Sequence, residues 1–267
     1  MKFCRFLMNG LTRYGTVEDR NGELWITGSA PAPAEDLAFK LQGVGPVPSF
    51  APMPLSAVQL LPPVTPSKIV CVGRNYRAHV RELGNEMPTE PLIFFKPPSS
   101  LLAPGGVIRM PAISQRVDFE GELAVVIGRR TRNLKPDSNW RDVVRGFTLA
   151  NDVTARDLQN KDDQWTRAKG FDTFCPVGPI VSDELDLDTG LDLETHVNGE
   201  RRQQGNTLDF IFSLPELLAF ITSIFTLEPG DLLLTGTPSG IAPLSAGDRV
   251  EVSIPRLGVL VNTVETE

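Results

Sequence analysis

Histidine, cysteine and tyrosine are scarce in this chain of 267 residues, with two His, three Cys and two Tyr. Two histidines exclude a three-His metal centre. Cys4, Cys71 and Cys175 lie far apart and form no CxxC pair. An odd, sparse set speaks against a disulfide framework or a thiolate zinc site and fits a reducing compartment. Basic residues are in deficit: 33 acids stand against 26 Lys and Arg, for a net charge of −7. That balance argues against a surface built to grip nucleic-acid phosphates or anionic lipid. Long apolar runs are missing too, since the most apolar stretch, 210–227, is broken by Ser213, Pro215 and Glu216 and is too short to span a bilayer. The opening MKFCRFLMNG lacks the apolar region and cleavage pattern of a signal peptide. No GxGxxG occurs, so a dinucleotide fold has no support. The expectation is a cytoplasmic protein with neither a nucleic-acid nor a membrane partner.

Apolar content and turn formers are plentiful. Hydrophobic residues make up 41% of the chain, and Gly and Pro number 23 each. A sizeable core is therefore available, built from short elements with many turns. Composition shifts near residue 66. Residues 1–66 carry five bases, five acids and nine of the 23 prolines, which leaves the acidic excess downstream. In this segment FCRFL, TRYGTVE and ELWIT read as strands, with turns at Asn9-Gly10 and Asn21-Gly22. Ala30 to Pro66 reads as an irregular connector. The expected organisation is a small β-rich N-terminal domain over 1–66 and a larger domain over 67–267.

In the larger part KIVCVG, LIFFK, VIRM, GELAVVIG and GFTLANDVT read as strands. Asn75 is expected to cap a short helix that reaches Leu83 and ends at Gly84. LETHVNG and ERRQQG form a hairpin about Asn198-Gly199. Ser213 and Glu216 make a capping box for an apolar helix running to Phe225. Strands outnumber helices without regular βαβ alternation, which predicts a mostly-β or α+β fold with a closed or rolled sheet.

Several side chains stand out chemically. Glu120 and Glu122, two apart in a strand-like run, leave one face, and Asp118 would share it. Asp152 follows another apolar run. Carboxylates gathered on one face repel unless a cation or solvent neutralises them, and three such oxygen donors suit Mg2+ or Mn2+. The same spacing also describes a solvated strand face. His79 and Glu82, at i and i+3 of the short helix, can form a dyad in which the carboxylate orients the imidazole and raises its basicity. Lys169 lies among aromatic residues in QWTRAKGFDTF and could meet a developing oxyanion. Arg156 and Gln159 follow Asp152 at short range and could bind a carboxylate or carbonyl oxygen. Thr237, in TGTPSG, adds a hydroxyl beside backbone amides. Taken singly, the carboxylates, the His79–Glu82 pair, Lys169, Arg156 and Gln159 are more commonly ordinary surface or loop residues, and TGTPSG is as commonly a simple turn.

Their order along the chain is more specific. VGRNYRAHVRE, EPLIFFKP, DFEGELAVVIG, NDVTARDLQ, WTRAKGFDTFCPVGP and LEPGDLLLTGTPSG form a series that resembles the fumarylacetoacetate hydrolase family, over residues 68 to about 250. The resemblance implies a rolled, mixed β-sheet fold and a homodimer. It implies Glu120, Glu122 and Asp152 as ligands of Mg2+ or Mn2+, His79 and Glu82 as a water-activating dyad on a lid helix, and Lys169 near the metal and the substrate oxygens. Arg156, Gln159 and Thr237 are implied to hold the substrate. The expected substrate is a 2-oxo acid processed through a metal-stabilised enolate. Hydrolytic C–C cleavage of an acylpyruvate leads because the His-x-x-Glu pair is present. Oxaloacetate decarboxylation or tautomerisation and isomerisation of a hydroxy-dienedioate are the alternatives, and a metal-dependent small-acid binding protein is the non-enzymatic one.

Overall fold

The computed structural model describes residues 1–42 and 50–267. Local chemistry sets the first elements. Asn9-Gly10 and Asn21-Gly22 take left-handed φ values of 52° and 74°, and of 57° and 87°. Asn and Gly tolerate this conformation, and it matches the twist of a tight hairpin. Strands Lys2–Met8, Leu11–Arg20 and Glu23–Ser29 accordingly form an antiparallel meander.

The meander continues into the main sheet. Lys2 pairs with Ser182 and Phe3 with Val181, which joins Lys2–Met8 to Cys175–Ser182. From there the sheet runs through Val144–Asn151, Gly121–Ile127, Leu232–Leu234, Ile69–Gly73 and Leu92–Lys96. Neighbours in this series are antiparallel except Leu232–Leu234 against Ile69–Gly73, so the sheet is mixed. Gly121–Ile127 and Cys175–Ser182 are buried along their whole length. Covering on both faces explains why they read as continuous apolar runs without alternation.

A second sheet orders Glu200–Asn206, Asp192–Val197, Arg249–Ile254, Gly258–Thr266 and Val107–Met110. Its Leu193, Val252, Ile254 and Leu260 share one core with Leu123, Val125 and Leu149 of the main sheet. Helix Leu214–Ile224 adds Leu217, Leu218 and Ile221 to that core, and the Glu216 carboxylate accepts from the Ser213 amide at 2.7 Å, as the capping box requires. The fold is mostly β with mixed sheets, as expected from the sequence. Among the described residues no helix is long and apolar enough to cross a membrane.

Three local expectations need correction. The short helix is Arg77–Glu82, and the residue before it is Tyr76, with no side-chain cap. Asn75 is instead fully buried. Its amide donates to the carbonyls of Thr235 at 2.9 Å and Phe212 at 3.3 Å, and it accepts from the Phe212 amide at 2.8 Å. Backbone groups just after strand Leu232–Leu234 and just before helix Leu214–Ile224 outcompete the cap. The stretch 30–66 is also less irregular than expected: it holds helix Leu37–Leu41 and strand Gln59–Leu61, which pairs with Lys2–Met8, while 43–49 lie outside the described residues. Finally, the strand expected through GFTLANDVT stops at Asn151, and Thr154–Ala155 resumes against Val117–Asp118. Asp152 sits in the gap.

Candidate active site

The site forms where these strands begin and end. Gly121 separates the two glutamates, and its missing side chain matters: a Cβ there would lie 2.1 Å from Thr195 Oγ1 of the second sheet. Its amide donates to Gln203 Oε1 at 3.0 Å and its carbonyl accepts from Thr237 Oγ1 at 2.8 Å. The Asp152 amide donates to the Glu120 carbonyl at 2.8 Å, and Glu122 Oε2 accepts from the Gly236 amide at 2.7 Å. These bonds bring Glu120, Glu122 and Asp152 together, with one oxygen from each lying within 4.8 Å of the others. All three are buried, so this is no solvated strand face. Asp118 stays outside the trio and binds Arg116 and Arg156.

Cations surround two of the three carboxylates. Lys169 Nζ is 2.7 Å from both Glu120 Oε2 and Asp152 Oδ2 and 5.1 Å from the centre of the Phe94 ring. Lys96 Nζ is 2.6 Å from Asp152 Oδ1. Arg156 reaches Asp118, Glu120 and Gln159. Glu122 has no basic side-chain partner among the described residues.

The titration directions follow from this geometry. Burial alone would raise the Glu120 carboxyl, but Lys169, Arg156 and His79 outweigh it and hold it below its ordinary value. Burial first, and then repulsion from Asp152 and Glu120, push the Glu122 carboxyl well above its ordinary value. Burial would lower Lys169, yet Asp152 and Glu120 raise it. A buried, repelled carboxylate beside two others, with only oxygen donors in the set, is the environment a hard divalent cation satisfies. The residues present therefore fit such an ion.

His79 is buried on the helix above the trio, and its Nδ1 lies 3.0 Å from Glu82 Oε2. Of the nine site residues that the family resemblance implies, all but Glu82 line one cavity of about 220 Å3; Glu82 stands behind His79. The Thr237 hydroxyl already donates to Gly121 and accepts from Gln203 Nε2 at 2.7 Å, so its proton is in use within the protein. The three cysteines are buried in the core, and burial pushes the Cys4 and Cys175 thiols up to about 12.

Sequence reading missed three residues here. Lys96 is the last residue of the strand read in LIFFK. Gln203, in a hairpin strand, links Gly121 to Thr237. Arg74 lines the cavity with a left-handed φ of 60° and has no hydrogen-bond or ionic partner among the described residues. Its place just past the carboxyl end of a buried strand, where ligands often bind in sheet proteins, was the available signal.

The model of the fumarylacetoacetate (FAA) hydrolase C-terminal domain matches residues 68–265. The chain belongs to the fumarylacetoacetate hydrolase family. A mitochondrial oxaloacetate tautomerase of Arabidopsis thaliana is 45% identical over 204 residues, covering 74% of this chain and 91% of the relative. A mitochondrial oxaloacetate decarboxylase of Dictyostelium discoideum is 46% identical over 199 residues, covering 72% and 91%. The structure of a 2-hydroxyhepta-2,4-diene-1,7-dioate isomerase from Mycobacterium marinum superposes with a TM-score of 0.85 at 36% identity, over 100% of this chain and 99% of that one. The resemblance carried by the six sequence blocks is thus borne out, and the protein is an enzyme of this family.

Proposed function

We propose that this enzyme interconverts the keto and enol forms of oxaloacetate. The observation that carries the proposal is Arg74, a guanidinium without a partner among the described residues that lines the same cavity as the carboxylate trio. A substrate with a 2-oxo acid at one end and a second carboxylate at the other meets both features. Glu120, Glu122 and Asp152 would hold a divalent cation, Mg2+ or Mn2+, which when bound supplies Lewis-acid stabilisation to the 2-oxo acid and its enolate.

The chain's own groups do the rest. Arg74 pairs with the distal carboxylate and fixes the methylene carbon between the two ends. His79, with Nδ1 held by Glu82, has Nε2 left to accept a proton from that carbon and return it. Lys169 places positive charge beside the 2-oxo oxygen as charge builds there and gives that oxygen the proton that completes the enol. It takes that proton back when His79 returns its own to carbon in the keto direction. Val72, Phe94 and Trp165 in the cavity wall limit water. Holding the distal carboxylate by a guanidinium stabilises it against loss as CO2, which favours tautomerisation over decarboxylation. The names of the Arabidopsis and Dictyostelium relatives support oxaloacetate as substrate.

Acylpyruvate hydrolysis is the second reading, favoured by the same His79–Glu82 pair acting on water. The test uses metal-stripped protein, reloaded with Mg2+ or Mn2+ or left with EDTA. Enol oxaloacetate absorbance, pyruvate release and acetylpyruvate consumption are followed in parallel. Rapid, EDTA-sensitive loss of the enol without pyruvate is expected. Pyruvate released at the rate of enol loss would make the enzyme a decarboxylase, and acetylpyruvate cleavage with oxaloacetate untouched would make it a hydrolase. A cytoplasmic homodimer completes the proposal; light scattering on the pure protein reads its assembly.

A further inference from the structure

Lys96 has no part in the mechanism above, yet it is a fully buried ammonium group beside the trio. It ends strand Leu92–Lys96, opposite Ile69 in register, and its side chain is 0% exposed. Nζ donates to Asp152 Oδ1 at 2.6 Å and to the Val153 carbonyl at 3.1 Å. The other oxygen, Oδ2, is the one that shares Lys169 with Glu120. Asp152 therefore has its two oxygens divided: Oδ1 is tied to the end of strand Leu92–Lys96, and Oδ2, with Glu120, meets Lys169.

We propose that Lys96 is a positioning residue that restricts Asp152 to one-oxygen ligation and thereby sets which divalent ion the trio prefers. Small ions such as Mg2+ and Mn2+ need near-octahedral sites and take one oxygen per carboxylate, whereas Ca2+ accepts six to eight oxygens and tolerates both from one group. Both oxygens of Asp152 meet an ammonium, but Lys169 lines the cavity and can yield Oδ2 to an ion. Lys96 is not among the cavity-lining residues and keeps Oδ1, so the carboxylate offers a single donor atom. The ammonium stays there because leaving Asp152 would strand a charge away from water. Its attachment to strand Leu92–Lys96, apart from the segment that carries Asp152, also holds the carboxylate against rotating to present its other oxygen.

This inference rests on the metal dependence proposed above, and the test separates the two. Dissociation constants for Mn2+, Mg2+ and Ca2+ are measured by calorimetry and by Mn2+ spin resonance, with the full chain stripped of metal. Wild type is compared with Lys96→Met, which keeps the stem and removes the charge, and Lys96→Gln, which keeps a donor. Mn2+ binding is expected to weaken about 10- to 100-fold in Lys96→Met, as for loss of other outer partners of metal ligands. Ca2+ binding should fall less or improve, so the Mn2+/Ca2+ preference drops about 10-fold or more, with Lys96→Gln intermediate. A variant that melts at lower temperature but keeps the wild-type ion ratio would overturn the proposal and leave Lys96 a structural role. Wild type that binds none of the three ions overturns both this inference and the metal site. If Lys96→Met lacks a native circular dichroism spectrum, the ratio in Lys96→Gln decides.

Discussion

His79 Nδ1 and Glu82 Oε2 stand 3.0 Å apart, nearly one turn along the same short helix, while Glu82 Oε1 accepts from the Gly240 amide at 2.9 Å. Glu82 is thus anchored to the loop after Leu232–Leu234 and fixes the imidazole over the carboxylates. Removing a positioned acid–base group typically costs about 10²- to 10⁴-fold in rate. His79→Ala is expected to lose turnover on that scale with Mn2+ affinity unchanged. Unaltered kcat would remove His79 from the chemistry.

Glu122 carries the opposite balance of stability and function. Its charge is repelled by Asp152 and Glu120 and has the Gly236 amide as its donor. Glu122→Gln keeps an acceptor for that amide and removes the repulsion. Metal-free Glu122→Gln is expected to be more stable than metal-free wild type by about 1–2 kcal/mol, while the rise in Tm that Mn2+ confers on wild type disappears. Thermal melts with and without EDTA read both effects. A variant less stable than wild type in EDTA would refute the charge argument.

Arg74 tests the substrate. Replacing it by Leu removes a guanidinium without touching the trio. If it holds the distal carboxylate, KM for oxaloacetate should rise about 10- to 100-fold, the scale of one charged hydrogen bond. Acetylpyruvate, which has no second carboxylate, should be bound as before. Equal losses for both substrates would place Arg74 elsewhere in the mechanism.

How much of this was legible depended on range. The Asn-Gly turns and the Ser213–Glu216 cap are chemistry within four residues, and they form where expected. The trio is different: Glu-x-Glu carries no sign of burial, and Asp152 joins it only through a bond to the Glu120 carbonyl. Only the ordered resemblance pointed there. Lys96 and Asp152 are 56 positions apart, and nothing local in FFKP marks the Lys as buried. Asn75 misled for the same reason, since its amide serves carbonyls more than 130 residues away.

The N-terminal meander supplies a pH test remote from the active site. Arg5 and Tyr14 are paired in register on adjacent strands, and both donate to Asp36 Oδ2, at 2.9 and 2.6 Å. Asp36 Oδ1 accepts from the Phe39 amide at 3.0 Å and caps helix Leu37–Leu41. Burial alone would raise this carboxyl. The Tyr14 hydroxyl, the Phe39 amide and the Arg5 charge outweigh it and hold it below its ordinary 3.8. In acid the unfolded chain then binds this proton more readily than the folded one. The stabilisation is complete above the unfolded value and is lost as pH falls through the depressed folded one. Asp36→Asn is expected to cost about 2–4 kcal/mol at pH 7. In urea titrations the gap from wild type should stay constant down to about pH 5 and narrow steadily below about pH 4. A gap that widens in acid would mean that the carboxylate is not the form the three donors hold.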